Sequence, residues 1–175
     1  LSMLVLADIG LLPEADRTAI EPWLERGGIL VRFAGPRLAA SQDDLLPVTL
    51  REGGRELGSA MSWEAPQPLT SFTAATPFAE LKPDAGVTVA RQVLAEPDAD
   101  LSTKVWASLS DGTPLVTAAA RGRGLVILFH VTASPEWSNL PLSGQFVDML
   151  RNIVDRAPSA GAAGAADGQP AAGSE

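Results

Sequence analysis

Two short apolar runs, MLVLAD over Met3–Asp8 and ILVRFAG over Ile29–Gly35, flank a single helical pattern. An apolar run closed by a polar or small residue suits a strand covered on both faces in a parallel sheet. The segment between them, PEADRTAIEPWLERGG, is punctuated as a helix: Pro13 sits like a first-turn proline, Glu14 and Asp16 lie near the positive end of the dipole, and Gly27–Gly28 closes it. Ala19, Ile20, Trp23 and Leu24 share one face, while Pro22 removes a backbone donor and predicts a kink or a split. Strand, helix and strand within residues 3–35 make a βαβ unit with its strands parallel and its crossover right-handed.

Beyond Pro36 the pattern weakens. VTLREGGREL predicts a hairpin between Val48 and Leu57 turning on Gly53–Gly54, and SWEAPQPLTSFTAATPF, rich in Pro, Ser and Thr, reads as a long surface loop or insertion within 36–83. VTVARQVLAE (Val87–Glu96) resumes a strand, KVWASLSDGTPLVTAAA forms a hairpin on Asp111–Gly112, and ARGRGLVILFHV forms another on Gly122–Gly124. Leu125–Phe129 carries no polar interruption, which places it centrally in the sheet. Phe146, Val147, Leu150, Ile153 and Val154 recur as the apolar face of an amphipathic helix. These elements place one α/β domain over residues 1–156. Residues 157–175, APSAGAAGAADGQPAAGSE, bury too little apolar area to offset the entropy of ordering and read as a disordered linker or tail. Because the chain starts on Leu1 inside an apolar run, it is expected to be a piece of a longer protein.

Composition removes whole classes of function. With 13 Lys and Arg against 21 Asp and Glu, a net charge of −8 and a pI near 4.6, the chain lacks the clustered cations that nucleic acid or an anionic membrane requires. Zero cysteines exclude disulfides, thiolate metal sites, iron–sulfur clusters and thiol nucleophiles. No run reaches the ~18–20 apolar residues of a membrane helix, so no direct membrane insertion by this chain is expected.

Chemistry concentrates in FHVTASPEWSNLPLSG, Phe129–Gly144. His130, the single histidine, ends a strand, where ligands gather in α/β folds, and could serve as a general base oriented by Glu136 or Asp8. The alternative is an imidazole tied to backbone at a strand end. No G-x-S-x-G elbow exposes a nucleophile, and Ser134, Ser138 and Ser143 suit turn and cap positions. Asp8 ends the first strand without a second carboxylate near it, Asp43 and Asp44 read as loop charges, and no calcium-loop pattern exists; neither a metal nor any other cofactor is expected. ARGRG invites a phosphate reading through its glycine amides, but it precedes a strand and reads better as a hairpin turn. Trp23 and Trp106 fall in periodic segments and belong to the core, whereas Trp137 and Trp63 lie in loops and are the expected interaction anchors.

Taken together, LVLADIGLLPEADRTAIEPWLERGGILVRFAG and WASLSDGTPLVTAAARGRGLVILFHVTASPEWSNLPLSGQFVDMLRNIV, with WSNLPLSGQFV the most specific piece, resemble the class I glutamine amidotransferase-like domain of bacterial membrane proteins that begin with an aerotolerance-regulator-like double-transmembrane region. The resemblance implies a flavodoxin-like three-layer α/β sandwich with additional antiparallel strands. In that family a cysteine is activated by a histidine that a glutamate two residues later orients; here no cysteine exists, and Thr132 stands two residues after His130. The implied function is therefore a non-catalytic interaction or scaffolding domain of a membrane-anchored envelope protein, on the periplasmic side, whose partners are other domains of its own chain or an envelope protein. The alternatives are a hydrolase or amidotransferase-like enzyme using His130 with a serine, and a small-ligand-sensing domain with a pocket at the switch point of the sheet.

Overall fold

The computed structural model describes residues 1–53, 55–56 and 65–156. Along the chain run β1 (Met3–Ala7), α1 (Glu14–Glu25), β2 (Ile29–Phe33), α2 (Pro36–Ala40), β3 (Arg55–Glu56), β4 (Gln67–Phe72), β5 (Thr88–Val89) and β6 (Arg91–Gln92). There follow α3 (Leu101–Lys104), β7 (Val105–Leu109), β8 (Pro114–Arg121), β9 (Gly124–Phe129), a 3₁₀ turn at Leu140–Leu142 and α4 (Gly144–Asp155). Seven strands form one mixed sheet in the order β1-β2-β9-β8-β7-β4-β5, and β3 pairs with β6 in a small second sheet. The architecture is thus α/β with a mixed sheet.

The sheet has two regimes. β1, β2 and β9 are parallel, with Val5 opposite Val31 and Val31 opposite Ile127. β9, β8, β7, β4 and β5 are joined antiparallel, with bulges where β7 meets β8 and β4. Alternation of side chains along the parallel strands sends them to two cores. Leu4, Leu6, Leu30 and Val126 meet Ile20, Trp23 and Leu24 of α1 on one face. Ile29, Val31, Phe33, Ile127 and Phe129 meet Phe146, Met149 and Ile153 of α4 on the other. There Phe33 and Phe129 stack at 4.8 Å, and Phe146 sets its edge against both. The close approach of α1 to β9 requires Gly124, whose Cβ would collide with the Leu24 carbonyl.

Four expectations change. Pro22 does not divide α1: the helix runs from Glu14 to Glu25, and Pro22 still accepts from the amide of Arg26 through its carbonyl. The hairpin between Val48 and Leu57 does not form, because each described arm pairs elsewhere: Leu50 bridges Ala95, and Arg55–Glu56 pairs with Arg91–Gln92. Both arms are thereby drawn to the segment around the fully buried Val93; Gly54 and Leu57 lie outside the described residues. The Pro/Ser/Thr-rich stretch is not wholly loop, since Gln67–Phe72 forms β4 between β7 and β5, anchored by buried Leu69. The strand expected over Val87–Glu96 breaks into β5, β6 and a bridge at Ala95, bending where the amides of Ala90 and Arg91 both reach the Trp137 carbonyl. The tail reading of residues 157–175 falls outside the described residues.

Candidate functional site

The parallel strands end at Asp8, Ala34 and His130, aligned by bonds from the Asp8 amide to the Phe33 carbonyl (2.9 Å) and from the Ala34 amide to the Phe129 carbonyl (2.8 Å). Asp8 and His130 therefore share one end of the sheet but stand two strand spacings apart, roughly 10 Å. Asp8 adopts φ 47°, and its carboxylate accepts from the amides of Leu38 (3.0 Å) and Arg37 (3.4 Å). It caps α2 from a distance, replacing the side chain that Gly35 lacks at the N-cap. Any Cβ at position 35 would fall about 2.5 Å from the Asp8 carboxyl carbon, so the cap needs this glycine.

His130 is fully buried. Its Nδ1 lies 2.8 Å from the Val93 carbonyl, an oxygen that can only accept, so Nδ1 carries the proton. Nε2 is then the acceptor and takes the hydroxyl hydrogen of the equally buried Thr117 at 2.9 Å. Burial pushes the imidazole pKa down from 6.5 to about 4, against the hydrogen bond to Val93, which raises it. The ring is neutral at physiological pH with both nitrogens committed. The hydroxyl beside it thus belongs to Thr117, in the middle of β8, and none of the serines in the Phe129–Gly144 stretch takes that place. Ser138 Oγ donates to the Thr88 carbonyl and accepts from the Leu140 amide; Ser143 Oγ donates to the Leu140 carbonyl and accepts from the Phe146 amide, capping α4. Glu136 is exposed, and no bond joins it to His130 or Asp8 among the described residues.

Trp137, expected to be an exposed anchor, is 7 % exposed and packs in the larger core. The adjacent Val89–Ser138 bridge ties its loop onto β5, which local sequence could not reveal. Trp63 lies outside the described residues. Trp106 sets its ring edge-on to Phe78 at 5.5 Å.

Reading Asp43 as a loop charge missed an ion pair. Arg32 of β2 and Asp43 have side chains 1 % and 0 % exposed, joined at 2.5 Å. The guanidinium also donates to the carbonyls of Leu45 (3.0 Å), Ile9 (2.9 Å) and Gly10 (3.3 Å). Asp43 accepts from the amides of Leu12 and Leu45. The pair binds the loops after β1 and α2 together over the carboxyl ends of the parallel strands, where open α/β sheets ordinarily take ligands. The signal available in sequence was the lone arginine inside ILVRF. Asp44, by contrast, faces outward to Arg17 at 2.7 Å.

Open volume lies on both sides: a cleft of about 350 Å³ borders the Asp43 loop, lined by Gln42, Asp44, Val48, Asp98 and Lys104 among others, and another lies at the opposite end. That other cleft, of about 330 Å³, is bordered by Gly27, Ile29, Trp106, Arg123, Leu125 and Arg156, among others. Among the described residues, no group of three or more His, Asp or Glu side chains is placed to hold a metal, and no helix is long and apolar enough to cross a membrane.

No family model and no curated protein matches this chain. Solved structures do. The cytoplasmic protein STM1381 from Salmonella typhimurium LT2 aligns over 90 % of this chain and 72 % of its own, at 16 % identity and a TM-score of 0.66. The cytoplasmic protein STM3548 from Salmonella typhimurium aligns over 89 % and 71 %, at 16 % identity and a TM-score of 0.65. A β-galactosidase from Rahnella sp. R3 aligns over 88 % of this chain but 22 % of its own, at 12 % identity and a TM-score of 0.57. At such identities the likeness concerns the fold. The names of the two Salmonella neighbours are at odds with a periplasmic-side placement, and on that finding the placement implied by the amidotransferase-like resemblance is withdrawn.

Proposed function

We propose that this chain is a non-catalytic interaction or scaffolding domain built on a flavodoxin-like, amidotransferase-like frame. The observation that carries the reading is the burial of the polar groups at the carboxyl ends of the parallel strands: Val93, His130 and Thr117 form a buried hydrogen-bonded chain, and the Arg32–Asp43 pair draws two loops over the neighbouring strand ends. A general base needs a lone pair within reach of a substrate proton, and Nε2 spends its lone pair on a hydroxyl with no exposure. Elsewhere on the molecule apolar side chains stand in the open: Val5 of β1, Ile9 and Leu11 in the loop beyond it, and Leu142, Val147 and Val154 at and before α4. Such exposed apolar groups suit contact with another domain of the same polypeptide or with a protein partner.

The test is enzymatic first. Purified chain incubated with glutamine, p-nitrophenyl esters and nitrophenyl β-galactoside should release neither ammonia nor nitrophenol above the buffer rate. A turnover that disappears in His130→Gln, with the unfolding midpoint of that variant still measurable, would overturn the reading and restore the hydrolase alternative.

A further inference from the structure

The ARGRG turn divides its arginines. Arg121 donates to the Asp44 carbonyl on the α1 side, while Arg123, whose amide bonds to the Glu25 carbonyl at 3.0 Å, borders the cleft at the amino ends of the parallel strands. Arg156, just past the end of α4, borders the same cleft. Neither guanidinium has a hydrogen-bond or ion-pair partner among the described residues, and no carboxylate borders this cleft. In a chain of net charge −8, two unpartnered cations thus border a hollow that no carboxylate lines. The remaining border is largely apolar, from Ile29, Ala75, Pro77, Leu125 and the partly buried Trp106; a second cleft of about 450 Å³ continues it past Pro77 and Arg156, and there Glu80 and Asp155 line it. Guanidinium groups favour oxyanions through charge-assisted, forked hydrogen bonds, and an indole favours a flat apolar body.

We infer that this amino-end cleft binds a small organic anion, its carboxylate or phosphate held between Arg123 and Arg156 and its flat apolar body against Trp106 and Leu125. The site stands independently of the interaction reading: it lies at the other end of the sheet and asks nothing of His130. The hollow itself, at about 330 Å³, is at the small end of the range for ligand pockets and matches the size of a single substituted ring.

Titration of the full chain with phenyl phosphate, benzoate, phenol and inorganic phosphate, followed through the Trp106 indole N–H resonance, tests it. Saturable shifts with phenyl phosphate or benzoate, and none with phenol, are expected. Arg123→Gln and Arg156→Gln should each weaken that binding about tenfold, the scale of one charge-assisted contact, while leaving the unfolding midpoint in place. No saturable shift with either aromatic anion, or binding undiminished in both variants, overturns the site. Inorganic phosphate binding as tightly as phenyl phosphate overturns the ligand class.

Discussion

The two ends of the parallel strands do opposite things with the same kinds of group. At the carboxyl end an arginine, an aspartate and a histidine are driven inside, and their polar atoms, the Nε of Arg32 apart, are spent on each other, on backbone carbonyls and amides and on a threonine hydroxyl. At the amino end two arginines stay at the surface without partners among the described residues and border an open hollow. A charged side chain is thus evidence of a site only when its hydrogen-bonding capacity has not been used up by the fold. His130, Arg32 and Asp43 at the carboxyl end have been turned to stability, whereas the two arginines where the strands begin keep their hydrogen-bonding capacity.

The largest effect that would break this contrast is at Asp43. Asp43→Ala leaves Arg32 buried without its counter-charge and should cost about 3–5 kcal/mol in urea unfolding. A loss below about 1 kcal/mol would mean that Arg32 can reach water and that the carboxyl end is open. His130 sharpens the contrast through pH. The unfolded histidine takes a proton near 6.5 and the folded one only near 4, so the unfolded state binds the extra proton between those values. Stability is therefore full above pH 6.5 and falls as pH drops toward 4, by an amount on the order of 3 kcal/mol. His130→Gln should flatten that slope in unfolding midpoints measured across the window. Asp111 titrates on the acid side of it: burial raises its pKa, but hydrogen bonds from Thr113 and the bond and charge of Arg55 outweigh this and hold it below 3.8. Its contribution is present above 3.8 and goes only as pH falls through the lowered value. The smallest of these effects is at Asp8, where Asp8→Ala removes a cap and should cost about 1 kcal/mol, read from thermal unfolding.

What could be read from sequence was what is local. The β1–α1–β2 unit, the hairpins of β7, β8 and β9, and α4 each announce themselves through contiguous apolar runs, a turn pair such as Asp111–Gly112, or a helical period. β4 escaped because QPLTSF offers only Leu69 and Phe72 as apolar residues, and its strand character is conferred by β7 and β5 on either side. The burial of Trp137 is likewise decided by a segment some fifty residues earlier, through the bonds between Ser138 and Thr88 (|i−j| 50). Thr117 looked like an ordinary strand threonine inside PLVTAAA, and only the register of β8 against β9 sets it beside the imidazole. The Arg32–Asp43 pair spans eleven residues of chain (|i−j| 11) and two different elements, a distance at which charge pattern alone carries no pairing information.

The contact between Asp8 and position 35 has a consequence for how this chain can vary. A methyl group at 35 has no room while the Asp8 carboxylate is there, and that carboxylate has no substitute on its own helix once it is gone. The coupling runs one way: position 35 gains room for a side chain only after Asp8 has changed, so at this pair the order in which substitutions arrive matters as much as their identity.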